Sequence, residues 1–474
     1  MAWRIVIAGG GFGGLYAARE LERVLPPQAA HITLVNDVNF MLYTPLLPGA
    51  AAGTLEPRHV VVPLRQELHR TDLRLGEVIS RDPEQKCIHV ETLEGHDERL
   101  DYDHLIVALG SVSRTLPIPG LTEHAIGFKT LAEAIALRNH VLRTLEMGES
   151  VEDPREREKF LSYVFVGGGY AGVEGLAELQ DFAADVIELY PRCRVQGMRW
   201  MLVEAGDRIM REIPADLAEF TQRELQGRGI EFRVGTTVEQ ITGDSVRLST
   251  GEDLAARTVV WTAGVRPHPA VGRLGLPLER GRIKVDETLK VQGVDGVWAI
   301  GDAAAVPDPA QNHQGPTPPT AQHALRQGKR AAQNVAASIG RGRVRPFTYK
   351  TLGVFVDLGR FRAVASTFGI KWRGFPAWWL ARSYHLAAMP GFRRQVRLLT
   401  DWTVDLLFPR DPSELAQLGH PPALEAELEA HSSGGTAGDG PPSEVVPGPL
   451  RLTAEHERAP AHGGPTPREA ADEE

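Results

Sequence analysis

Cysteine is almost absent: Cys87 and Cys193 are the whole complement of a 474-residue chain. Two thiols so far apart in sequence make no CxxC or CxxxxC redox pair, no four-thiolate zinc site and no disulfide framework. They read as ordinary buried thiols of a reducing compartment. Long apolar runs are absent too. No uncharged apolar stretch reaches the roughly 18 residues that a spanning helix requires, so no transmembrane helix is expected. The N-terminal run MAWRIVIA is interrupted by Arg4 and leads straight into glycines, which argues against a signal peptide and starts the fold almost at residue 1. Basic residues are not in excess: 52 Lys and Arg against 61 Asp and Glu leave a formal charge of −9. A general nucleic-acid binder, whose affinity rests on neutralising phosphates, is therefore not expected.

Glycine is abundant, at 49 residues, and part of it is patterned. Arg4-Ile5-Val6-Ile7-Ala8 runs into Gly9, Gly11 and Gly14; Tyr163-Val164-Phe165-Val166 runs into Gly167, Gly169 and Gly172. A helical stretch follows each cluster, then a second apolar run, Ile32–Val35 in one and Trp200–Val203 in the other. Strand, glycine turn, helix and strand make a βαβ unit. The first glycine permits the tight turn, the second lets a pyrophosphate approach the backbone, and the third lets helix and strand pack closely. The helix N-terminus adds a partial positive charge. Two such units predict an α/β fold with two Rossmann-like dinucleotide-binding domains, one ligand being FAD and the other NAD(P)H.

Such a unit usually ends its second strand with an acid that binds the ribose hydroxyls. Glu204 takes that place in the second unit, and its charge would repel a 2′-phosphate, favouring NADH. Arg208 nearby keeps NADPH open. In the first unit the place falls to Asn36, which can donate and accept hydrogen bonds with a ribose, with Asp37 as a substitute or a loop residue. Val297 to Asp302 is an apolar run ending in Gly-Asp, suited to a strand whose terminal carboxylate binds a ribityl hydroxyl of FAD.

The ordered set GGGFGG, Tyr102-Asp103 to Gly110-Ser111, GGGYAGVE, Val260-Trp261-Thr262-Ala263-Gly264-Val265-Arg266, WAIGDAA and PPTAQHA resembles the two-dinucleotide-domain flavoproteins, specifically the type II NADH dehydrogenases. The similarity runs from about residue 3 to 410, and Phe40 to Pro48 with Ala52-Gly53-Thr54 shares it. The resemblance implies non-covalent FAD held by Gly9, Gly11, Gly14, Asn36, Gly110, Asp302, Ala321 and Gln322. It implies NADH held by Gly167, Gly169, Gly172, Glu204 and Gly264, and no metal. Hydride would pass from NADH to the flavin and two electrons onward to a membrane quinone, without proton pumping. Glu174, last residue of GGGYAGVE, would lie near nicotinamide and flavin. Family members commonly carry AQxAxQ after the WAIGDAA strand, two glutamines near the quinone head. Here Gln322 and Arg326 share one helix face, followed by Gln327, so Arg326 departs from the pattern. Gln322, Arg326 and Glu174 are the expected catalytic residues. Two alternatives stand beside this reading: a soluble electron acceptor, or a flavin-bearing redox sensor.

Between Lys371 and Arg410, Lys371, Arg373, Arg382, Arg393, Arg394, Arg397 and Arg410 outnumber Asp401 and Asp405, and Trp372, Trp378, Trp379 and Trp402 fall in the same stretch. Aromatic rings beside cations suit a lipid interface. Trp372, Trp378, Trp379, Arg382, Arg393 and Arg394 are the expected lipid contacts of a peripheral protein on the cytoplasmic face of the membrane. The resemblance adds a homodimer. Expected domains are residues 1–130 with 287–345 for FAD, 131–286 for NADH, 346–420 for the membrane and 421–474 as a disordered acidic tail rich in Pro and Gly.

Overall fold

Each apolar run ahead of a glycine cluster forms the central strand of a parallel arrangement in the computed structural model, which describes residues 2–308, 315–351 and 353–414. The tail expected over 421–474 lies outside the described residues. Strand β1 (Trp3–Ala8), helix α1 (Phe12–Val24) and strand β2 (Ala30–Asn36) make the first unit. Strand β3 (Ser162–Val166), helix α2 (Tyr170–Val186) and strand β4 (Arg199–Glu204) repeat it. β1 lies between β2 and His104–Val107, and β3 between β4 and Thr258–Trp261, all parallel. A strand covered on both faces needs no polar alternation. Hence Ile5 to Ala8 are all buried, as is every residue of β3.

The first sheet has seven strands in the order Val297–Ala299, His104–Val107, β1, β2, Asp72–Asp82, Cys87–Thr92, Asp97–Asp101. The second has five, Ala125–Gly127, Thr258–Trp261, β3, β4, Ile230–Val234. The chain crosses between them where Ser111–Ser113 pairs antiparallel with Val265–Pro267. Two expected boundaries shift accordingly. Ala125–Gly127, on the first-domain side of residue 130, pairs into the second sheet. Val271, Leu274, Ile283 and Val285, on the second-domain side of residue 286, belong to the first core. Both are short apolar runs, and so brief a pattern fits either sheet. Helix α3 (Ala321–Ser338) lies against α1 so closely that a Cβ on Gly328 would sit 2.2 Å from the Gly13 carbonyl oxygen.

Strand β5 (Gly353–Asp357) opens a three-stranded antiparallel sheet with Ala363–Thr367 and Ile370–Arg373. Val356, Leu358 and Val364 join the core around α2, which seats this sheet on the second unit. Helices α4 (Phe375–Ala388) and α5 (Phe392–Leu407) follow. α5 turns Leu398, Trp402 and Asp405 inward and leaves Phe392, Val396, Leu399 and Leu407 exposed. Among the described residues no helix is long and apolar enough to cross a membrane.

Two residues expected at the lipid surface are inside instead. Trp378, 6% exposed, packs with Ala363, Ala365 and Ala377. Arg382, 9% exposed, stacks on Trp378 and Trp402 at 4.3 and 5.0 Å from their ring centres. They stand one helical turn apart on the inward face of α4, and Trp379 on the outward face is exposed. Trp372 and Arg393 are also exposed, whereas Arg394 is half-buried and donates to the Arg58 carbonyl.

Candidate active site

The two glycine turns share one geometry. Gly9 and Gly167 take φ of +104° and +114°, a region that side chains resist. A Cβ on Gly14 would lie 1.7 Å from the Gly9 carbonyl oxygen, and one on Gly172 1.9 Å from that of Gly167. α1 and α2 therefore start hard against their strand ends. Gly11 and Gly169 stand at the helix N-caps with nothing within 4 Å of a Cβ. Each helix thus aims its first N–H groups over open space, the arrangement that receives a pyrophosphate. Gly110 and Gly264 border open space as well.

The strand-end residues also correspond. Asn36 Oδ1 accepts from the Gly10 amide at 2.7 Å, and Glu204 Oε2 accepts from the Gly168 amide at 2.6 Å. The Asn36 amide nitrogen donates to the Val38 carbonyl at 2.8 Å, while Glu204 Oε1 accepts a second amide, that of Gly206, at 2.7 Å. Asp37 is exposed. Arg208 donates to the carbonyls of Ile209, Met210, Arg211 and Ile213 at 3.0 to 3.5 Å, so its guanidinium is committed to its own loop and does not stand free for a 2′-phosphate.

Asp302 follows the strand Val297–Ala299, as expected of a carboxylate at a strand end. Its Oδ2 accepts from the Ser111 hydroxyl at 2.6 Å, and Lys129, from beyond the strand Ala125–Gly127, donates to that hydroxyl at 3.1 Å. The turn before it is held by Gln327, which is buried, accepts from the Gly301 amide at 2.7 Å and donates to Thr317 at 2.9 Å. Thr320 caps α3, and Ala321 is the first residue of that helix. Gln322 accepts from the Tyr349 hydroxyl at 2.7 Å and donates to the Gly353 carbonyl at 3.3 Å. The Arg326 guanidinium lies 4.1 Å from the Tyr349 ring centre and donates to the Gln322 carbonyl at 3.0 Å. Gln322 and Arg326 therefore do meet, through Tyr349.

Glu174, on α2, meets the other end of the same strand. Its Oε1 accepts from the Asp357 amide at 2.9 Å, at the far end of β5 from Gly353. The β5 partners of Gln322 and Glu174, Gly353 and Asp357, stand four positions apart, roughly 13 Å along the strand. A cavity of about 30 Å³ opens here, with Glu174, Glu178, Asp357, Arg382, His385 and Pro45 among its walls. Segment 40–48, second-unit helix α2 and the C-terminal region thus converge on one point. Burial pushes the Glu174 carboxyl well above the usual carboxylate range. Burial, then the Glu178 charge, pushes Asp357 up to about 8. Tyr43 Oη lies 3.3 Å from His385 Nδ1, and burial pulls that imidazole down to about 4, so His385 is neutral near pH 7.

Asp357, Tyr349, Tyr43, His385 and Lys129 were not among the expected site residues. Asp357 carries the signal that marked Asp302, an acid closing an apolar strand, and Tyr43 lies in the Phe40–Pro48 segment already singled out; the others are contacts of high sequence separation with no local mark. Cys87 and Cys193 are buried, and burial pushes the Cys193 thiol up to about 12.

The family model for pyridine nucleotide-disulphide oxidoreductases matches residues 3–328. The type II NADH:quinone oxidoreductase Ndh of Mycobacterium tuberculosis is 30% identical over 427 residues, 86% of this chain and 89% of that protein. The probable NADH dehydrogenase of Dictyostelium discoideum is 29% identical over 420 residues, 86% of this chain and 91% of that protein. In fold, the chain is similar to NDH2 from Plasmodium falciparum solved in complex with NADH, with a TM-score of 0.80 at 19% identity over 87% of this chain and 100% of that one. The chain belongs to the pyridine nucleotide-disulphide oxidoreductase family and, within it, to the type II NADH dehydrogenases.

Proposed function

We propose that the protein is an FAD-dependent NADH:quinone oxidoreductase working at a membrane surface without pumping protons. The duplicated glycine cradle carries this reading: two open helix N-termini, one per dinucleotide. Gly9, Gly11, Gly14, Asn36, Gly110, Asp302, Ala321 and Gln322 would hold FAD in the first unit. A Cβ at Gly11 would intrude on the space a pyrophosphate needs, and Asp302 suits a ribityl hydroxyl. Gly167, Gly169, Gly172, Glu204 and Gly264 would hold NADH in the second, with Glu204 turned to the ribose hydroxyls. The chain then divides into an FAD domain built on the seven-stranded sheet, an NADH domain built on the five-stranded one, and a membrane region after residue 346.

FAD, held in the first unit, would supply the redox chemistry: acceptance of hydride from NADH and passage of two electrons to a quinone. The chain orients the partners and handles protons. Ser111 and Lys129 fix the Asp302 carboxylate from two domains. Arg326, held over Tyr349, places positive charge where the acceptor gains electrons. Glu174, its carboxyl held well above the usual carboxylate range by burial, is suited to donate a proton. Pro45, Leu46 and Pro48 wall this site with apolar surface that keeps bulk water away. Phe392, Val396, Leu399 and Leu407 of α5, with Trp379 and Arg393 beside them, enter the lipid interface on the cytoplasmic face. The same region serves a homodimer.

An anaerobic titration tests the reading. NADH bleaches the flavin absorbance of the purified holoprotein, and a short-chain quinone restores it. Bleaching that ferricyanide reverses and every quinone leaves unchanged would instead support a soluble acceptor.

A further inference from the structure

The cavity holds more acid than the expected chemistry uses. Glu174 and Glu178 enter it from α2 and Asp357 from the end of β5. Glu178 is compensated: Arg410 Nη2 lies 3.4 Å from its Oε2 and bonds on to Asp405. Asp181, the next acid on α2, is paired with Arg228 at 2.6 Å. Among the described residues Asp357 makes no ion pair; its Oδ1 accepts from the Gly359 amide at 3.2 Å, and its amide is the donor to Glu174. Opposite stands Arg382, nine-tenths buried, whose Nε and Nη1 have no hydrogen-bond partner among the described residues although it lines the cavity. A volume of about 30 Å³ has room for one or two waters, and buried donors beside carboxyl oxygens give them the partners they need. His385 completes the wall as a neutral group.

Quinone reduction by NADH consumes one proton from the medium: NADH + H⁺ + quinone gives NAD⁺ + quinol. The hydride carries both electrons and one proton, so the second must be delivered to the buried site. We propose that Asp357 is the proton store for Glu174, the two carboxyls exchanging a proton through water held by Arg382 in this cavity. Glu174 gives its proton to a quinone oxygen; the O–H bond of Asp357 breaks as a new one forms on the Glu174 carboxylate; Asp357 is reprotonated from solvent. No electron moves in these steps. The inference rests on the NADH:quinone reading, and Asp357 touches no reacting atom, acting through Glu174. Its surroundings favour the protonated form: burial first, then Glu178 and Asp181, against the lowering effect of Arg382 and the Gly359 amide.

The test uses the flavin-loaded protein as wild type, Asp357→Asn and Asp357→Glu. Infrared titration should show a protonated carboxyl band that disappears with a midpoint near pH 8 and is missing in Asp357→Asn. NADH should reduce the flavin of all three at the same rate. Reoxidation by quinone should fall about a hundredfold in Asp357→Asn, the lower end of a general acid–base contribution. It should lose the wild-type decline above pH 8, and Asp357→Glu should restore both. Absence of the infrared band, or wild-type reoxidation at every pH in Asp357→Asn, overturns the proposal while leaving the NADH:quinone reading intact. Failure of every quinone to reoxidise the wild type overturns both. If Asp357→Asn does not retain flavin, the infrared band of the wild type and the rescue by Asp357→Glu decide.

Discussion

Replacing Glu204 with Gln should convert a site selective for NADH into one that accepts NADPH. Both carboxylate oxygens take backbone amides, Gly168 at 2.6 Å and Gly206 at 2.7 Å. Gln keeps one acceptor and turns an NH₂ group toward the other amide. A hydrogen bond to a charged group contributes about 1.5–3 kcal/mol, so the glycine turn loosens and NADH binding weakens by about tenfold. The second effect falls on NADPH alone. Two unit charges about 4 Å apart repel by about 4 kcal/mol at an effective dielectric near 20. Glu204 is half-buried, and screening leaves roughly 2 kcal/mol of that, or about 30-fold in binding. Arg211, paired with Asp207 at 2.9 Å beside this turn, remains as a cation for the added phosphate. The assay is kcat/KM for each nucleotide with one quinone, at low and high salt. The NADPH to NADH ratio should rise by the second factor, and less so in high salt. A ratio equal to that of the wild type, with flavin content unchanged, would refute the assignment of Glu204 to the ribose.

The paired cradles predict separable losses. Gly14→Ala pushes a methyl into the Gly9 carbonyl and should yield protein without flavin; Gly172→Ala does the same at Gly167 and should yield flavoprotein that NADH no longer bleaches, both read from absorbance spectra. Phe392→Glu with Leu399→Glu removes two exposed apolar side chains worth about 1.5–3 kcal/mol each when buried in lipid. Flotation with anionic vesicles should be lost while NADH:ferricyanide activity persists; a double variant that still floats removes α5 from the interface. Asp357 also has a stability signature. Its folded pKa is raised to about 8 from an ordinary 3.8, so the folded state binds the extra proton and stability falls as pH rises between those values. The slope is at most about 1.4 kcal/mol per pH unit from this group. Asp357→Asn should flatten the decline of Tm between pH 5 and 8, and an identical decline in the variant would contradict the shift.

The two parallel units are legible in the chain because their physics is local. A buried central strand must be apolar throughout, and a turn that sets Gly14 against Gly9 admits no side chain. Asp302 and Glu174 are legible for the same reason, each following a motif within a few residues. The cavity is not. Asp357, Arg382 and His385 reach it from β5 and α4, and their partner Glu174 lies far away in sequence. Arg382 was expected at the lipid surface from the aromatic and basic character of its stretch and the family resemblance. Composition counts Trp378, Arg382 and Trp402 as one aromatic basic stretch, whereas helical phase puts all three inside, with Arg382 stacked on both rings.

Duplication supplies one scaffold twice, and a single strand-end residue then separates the two sites. Asn36 and Glu204 make the same first bond, to the amide after the first glycine. They differ in the second. Glu204 uses its other oxygen to gather another amide, that of Gly206, so both of its oxygens accept backbone N–H groups. Asn36 spends its NH₂ on the Val38 carbonyl and brings no charge. A Glu at position 36 would lose that bond and set a carboxylate against the Val38 carbonyl, next to the exposed Asp37. The neutral amide is thus the residue the first turn accepts. On the proposed assignment, discrimination between phosphorylated and unphosphorylated ribose would belong to the second site, where the substrate would come and go, and would not be required in the first, which would keep its ligand through every turnover.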